Sequence, residues 1–122
     1  MSSNLRSPVV LVKAKEAYGL WFKILGDFPK MYRYNLGGKI ESSFLSVLEN
    51  TFITVYLPSE KKVVQLCLVI TKLDSLKFFL QLAWENKCLA TNKYTELSEL
   101  LDEIGRMLGG WKKGLKMKTP AK

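Results

Sequence analysis

Six apolar residues, Leu66, Val69, Leu73, Leu76, Leu80 and Ala83, follow one another at intervals of three, four, three, four and three. That spacing tracks a 3.6-residue period and keeps the side chains on one stripe for about five helical turns. A strand of ordinary length, about five or six residues, cannot sustain it. The constraint matters because the same region otherwise reads as β. TFITVYL (51–57) and VVQLCLVI (63–70) are rich in β-branched residues and flank the turn-like PSEKK. Periodicity overrides propensity here and predicts one helix from about Glu60 to Leu89, with Ser59 as its cap.

The remaining segments fall into place around it. Val9 to Phe28 carries Leu11, Ala14, Tyr18, Trp21 and Leu25 on a helical spacing, opened by Ser7-Pro8 and stopped by Pro29. Asn35 can cap a helix from Leu36 to Leu57, closed by Pro58, with Ile40, Phe44, Val47, Leu48 and Ile53 on one face. Thr91 or Asn92 caps a last helix from about Lys93 to Lys112, leaving a basic tail over 113–122. Four helices in 122 residues make one all-α domain spanning the chain. Phe28 and Tyr34 read as staples of the corner between the first two helices. Leu68, Phe79 and Leu82 lie off the main stripe of the third helix, which is therefore apolar over much of its girth. Such a helix is either central in its bundle or placed at a subunit interface, and the interface is the favoured reading.

Most catalytic chemistry has no foothold. There is no histidine, hence no common general base and no common zinc ligand. No Walker A, dinucleotide fingerprint or nucleophile elbow is present, so no enzyme and no cofactor are expected. Glu96, Glu99, Asp102 and Glu103 cluster early in the last helix, where they complement its dipole as a solvated face rather than a metal site. Cys67 and Cys88 sit in apolar stretches without metal spacing and read as two buried thiols of a reducing cytoplasm. The opening MSSNLRSP lacks an apolar core before a cleavage site, so no signal peptide is expected, and no apolar run approaches membrane-spanning length.

Charge is what the chain does offer. Its net charge is +8, and residues 61–122 carry twelve basic against six acidic residues. From Arg106 onward there are six basic residues and no acid. Such an end suits a polyanion, a membrane surface or an acidic protein partner, and charge alone does not choose between them. Lys112, Lys113, Lys116 and Lys118 would contact phosphates without reading sequence, or merely solubilise a tail. Arg106 either pairs with Asp102 or Glu103 or presents its planar fork to a phosphate or a partner. Lys30 and Arg33, in the link between the first two helices, either extend the binding surface or, for Arg33, tie the link to Glu41. A membrane-surface helix is not expected, because Trp111, Leu115 and Met117 give too few amphipathic turns.

Glycine punctuates this same end. Gly105 and Gly109 share one helix face, where a missing side chain permits close approach within the bundle or at a subunit contact. Each costs about 1 kcal/mol relative to alanine in a helix interior. Gly110 and Gly114 read as fraying or ending the helix, with Trp111 packing as an anchor.

Two stretches carry a resemblance. FPKMYRYNLGGKIESSFLSVLE (28–49) and YTELSELLDEIGRMLGGWKK (94–113) are similar to the Avd family, the accessory variability proteins of diversity-generating retroelements. Arg33-Tyr34-x-Leu36-Gly37-x-Lys39-Ile40-Glu41 and the ending Glu-Ile-Gly-Arg-Met-Leu-Gly-Gly-Trp stand in family order and spacing. The likeness covers roughly residues 10 to 113. It implies an antiparallel up-down four-helix bundle, like the proteins encoded by ribosomal-RNA intervening sequences, assembled as a barrel-shaped homopentamer. It also implies a basic surface engaging a reverse transcriptase and its template RNA or cDNA, with catalysis left to the polymerase. Lys77 matches a basic position of the family, whereas Gln81 and Gly38 depart from it. The alternative is a basic helical scaffold that docks an acidic protein without intrinsic nucleic-acid binding.

Overall fold

In a computed structural model, which describes residues 8–118, the chain forms five helices and, among those residues, no strand. They are α1 (Val9–Gly26), α2 (Lys30–Arg33), α3 (Leu36–Tyr56), α4 (Ser59–Glu85) and α5 (Thr91–Lys118). The expected absence of a leader, Ser7 and the tail beyond Lys118 lie outside the described residues. α3 packs on α4, α4 on α5, and α1 closes against both α5 and α3.

The six-residue stripe of α4 is the centre of the core. Leu66, Val69, Leu73, Leu76, Leu80 and Ala83 are all buried. Around it α1 contributes Ala14, Ala17 and Trp21, and α5 contributes Leu97, Leu101, Ile104 and Leu108. Helix rather than hairpin therefore prevails across 51–70, because the stripe gains burial only on a helical period.

Trp21 organises the α1–α3 contact. Its ring meets Phe28 edge-on at 5.6 Å and stacks on Phe44 at 6.1 Å. Its indole N–H donates to Glu41 at 2.7 Å, and the Tyr18 hydroxyl donates to the other carboxylate oxygen at 2.5 Å. That hydrogen bond to Glu41, with burial and the carboxylate's charge, pushes the Tyr18 pKa up to about 12. The phenol of the unfolded chain ionises near pH 10. Tyr18 therefore contributes stability that is constant below pH 10 and lost as pH rises through 12. Denaturant midpoints across that window should fall more steeply for the native chain than for Tyr18→Phe.

Several boundaries differ from the sequence reading. Asn35 caps α3 as expected, its side chain accepting from the Leu36 amide. The link before it folds into the short α2, and Tyr34 is 90% exposed rather than a staple. Phe28 alone fills that corner, at 2% exposure. In α3, Ile53 is exposed while Thr51 and Thr54 are buried, their hydroxyls donating to the carbonyls of Val47 and Asn50 at 2.7 Å each. α4 begins at Ser59 itself, with Pro58 in the cap position. It also ends at Glu85, not Leu89. The amides of Lys87 and Cys88 donate back to Trp84 and Ala83, at 2.9 and 2.8 Å, with Lys87 in the left-handed region at φ 62°. This is a Schellman closure built without glycine. Cys88 is buried beneath it, but Cys67 is exposed, contrary to the reading of two buried thiols.

The apolar girth of α4 is real but uneven. Leu68 is exposed, with Val64 and Phe78, whereas Phe79 and Leu82 are half-buried. A separate set of exposed apolar side chains lies on α1 and α3, including Val12, Phe22, Phe52 and Tyr56. No helix among the described residues is long and apolar enough to cross a membrane.

Candidate nucleic-acid interface

α5 does not stop at Lys112. It runs to Lys118, because Trp111 and Leu115 continue the spacing of Ile104 and Leu108 and remain half-buried against the core. Gly110 and Gly114 therefore sit within the helix rather than ending it. Lys113, Lys116 and Lys118 are helical side chains with fixed spacing, all exposed.

The fold adds two lysines that chain order hides. Lys62, on the first turn of α4, lies over the Trp111 ring at 5.6 Å and donates to the Val55 carbonyl at 3.2 Å. Lys61 beside it is exposed. Lys112 reaches the Cys67 sulfur of α4 at 3.9 Å. Thus the start of α4 and the end of α5 meet, and Lys61, Lys62, Lys112, Lys113, Lys116 and Lys118 form one cationic end. The contiguous KK pair at 61–62, read beside the fact that α4 and α5 are neighbours in sequence, was the available signal.

The other sequence-predicted residues lie apart from this end. Lys77 is half-buried between α4 and α5, its ammonium 3.0 Å from Asp102. Glu103 takes Lys13 at 3.8 Å. Both candidate acids for Arg106 are thereby engaged elsewhere, and Arg106 is exposed with no ion pair among the described residues. Lys30 and Arg33 lie on α2, beyond the far end of α1. Arg33 does not reach Glu41, which Tyr18 and Trp21 already occupy. Its guanidinium instead donates to the carbonyls of Phe28 at 3.1 Å and Gly26 at 3.4 Å, closing the end of α1. Gln81, the departure from the family pattern, donates to Glu85 at 3.1 Å on an exposed face.

The glycines of α5 are only partly explained within one chain. A Cβ at Gly105 would meet Leu73 and Lys77 at 3.5 Å, an ordinary contact, and one at Gly109 would meet nothing within 4 Å. Gly109→Ala should therefore raise unfolding stability by about 1 kcal/mol, read from a denaturant midpoint. A simultaneous fall in oligomer mass would place Gly109 at a contact between copies.

Chemically, this end offers ammonium groups on a rigid helix beside an indole. Among the described residues no cluster of His, Cys, Asp or Glu can hold a metal ion. A family model described as bAvd-like matches residues 9–115. No curated protein matches the chain.

Proposed function

Because the chain belongs to the bAvd-like family, we propose that it is the non-catalytic accessory subunit of a diversity-generating retroelement. In this reading it binds the element's reverse transcriptase and holds template RNA or cDNA during mutagenic copying. The single observation that carries the nucleic-acid part is the meeting of six lysines at one end, two from the start of α4 and four from an α5 segment that lacks any acid from Arg106 onward. Ammonium groups on a helix neutralise phosphates without reading sequence, so binding is driven by counterion release. Arg106, exposed and without an ion pair among the described residues, is the residue offered to the polymerase or to a phosphate, since its fork suits both.

The assembly belongs to the same proposal. The helices form an antiparallel up-down bundle, and copies close into a barrel-shaped homopentamer. Two distinct exposed apolar sets support this, one on α1 and α3 and one on α4. Unlike surfaces that pair head to tail generate rings, whereas a two-fold dimer needs one self-complementary patch. Gly109, with open space where a Cβ would stand, fits close approach of a neighbouring copy.

Light scattering tests both parts at once. The expected result is a five-fold multiple of the 13.9 kDa chain, which gains mass with a structured RNA at low salt and releases it at high salt. A monomer indifferent to RNA overturns the proposal. An oligomer indifferent to RNA leaves the basic end to an acidic protein surface.

A further inference from the structure

A cavity of about 940 Å³ opens at the end of the molecule opposite the lysine cluster, between the last turns of α1 and the α4–α5 turn. Its size falls within the range that small organic ligands occupy in proteins, about 300 to 1,000 Å³. Leu20, Ile24, Leu89 and Trp84 line it with apolar surface. Lys23, Lys87 and Lys93 also line it, and none of them forms an ion pair among the described residues. Asp27 and Glu85 are its acids, so the lining carries a net positive charge.

The walls are held in place. Trp84 stacks flat on Tyr94, with centroids 4.7 Å apart and 6° between planes, and its N–H donates to Thr91 at 3.0 Å. The Schellman closure fixes Lys87 at the rim, with its backbone in the left-handed region.

We propose that this cavity binds a small amphipathic organic anion, with an apolar or aromatic body against Leu20, Ile24 and Leu89 and an acidic head group among Lys23, Lys87 and Lys93. Neither class alone matches the lining. A bare inorganic anion leaves the apolar floor uncovered, and a neutral hydrocarbon makes no use of the net positive charge of the lining. The site is independent of the nucleic-acid reading. Lys93 and Lys112 are separated along α5 by about 28 Å at 1.5 Å per residue.

The probe is 1-anilinonaphthalene-8-sulfonate, an aromatic sulfonate of the proposed class, titrated into the full chain under native conditions. Saturable binding at one site per chain is expected, unaffected by RNA. Lys23→Glu with Lys93→Glu should weaken it about tenfold, the sum of two modest charge reversals. Leu20→Trp, at a half-buried position, should weaken it by crowding the apolar floor against which the aromatic body packs, while the circular dichroism spectrum stays unchanged. Phe52→Ser should leave it intact. Should Leu20→Trp unfold the chain, the lysine double variant decides alone. The proposal falls if binding is undiminished in the lysine and Leu20 variants, if it disappears with Phe52→Ser, or if no saturable binding occurs.

Discussion

Trp21→Ala should remove about 3–5 kcal/mol of stability, the range for truncating a fully buried tryptophan. That is a large share of the roughly 5–15 kcal/mol available to a domain of this size. The loss has two sources. The indole is completely buried against Phe28 and Phe44, so truncation leaves a cavity at the α1–α3 contact. Glu41 loses the N–H that satisfies one of its oxygens, and only Tyr18 remains to hold the carboxylate. Guanidinium unfolding should show a lower midpoint with an unchanged slope. Trp21→Phe separates the terms, because it keeps most of the apolar volume and loses the hydrogen bond, at about 1–2 kcal/mol. Tyr34→Ala is the contrast. At 90% exposure that side chain should matter by no more than about 0.5 kcal/mol. A comparable cost for Tyr34 would mean that another copy covers it.

The second large effect is on binding. Changing Lys61, Lys113, Lys116 and Lys118 together to glutamine should leave the fold intact, since all four are exposed. If each neutralises one phosphate of a single strand, the slope of log affinity against log salt becomes shallower by about 3. Between about 50 and about 200 mM salt, the native chain should then lose roughly fiftyfold more affinity than the variant. Filter binding with an unrelated RNA at several salt concentrations reads this directly. Equal slopes for the two proteins would place the phosphate contacts elsewhere. Lys62 and Lys112 stay in place because they also pack, on Trp111 and beside Cys67, and their loss would mix binding with stability.

How much of this was legible depended on whether burial followed apolarity. In α4 it did, and all six residues of the stripe are buried. In the second half of α3 it did not. Thr51 and Thr54 return their hydroxyls to carbonyls four residues back, so polar letters sit in the core and Ile53 turns outward. The end of α4 was hidden for a related reason: the reversal uses Lys87 where a glycine would have announced it. The end of α5 was misread in the opposite direction. Gly110 and Gly114 resemble terminators, yet the spacing of Ile104, Leu108, Trp111 and Leu115 holds the helix together through them. Of the basic residues, those sharing α5 could be grouped from the chain alone. Lys61 and Lys62 joined them only through the packing of α4 on α5, and Arg33 turned out to close α1.

The three tryptophans occupy three different stations. Trp21 is sealed in the core, Trp84 is stacked on Tyr94 beside the cavity, and Trp111 lies beneath the Lys62 ammonium. The molecule thus carries its own optical labels, one for the interior and one for each end. An ammonium drawn from the Trp111 ring onto a phosphate changes that indole's electrostatic surroundings and its emission, while Trp21 stays silent. With Trp21 and Trp84 each replaced by phenylalanine, a single fluorophore would report occupancy of the cationic end without any added dye.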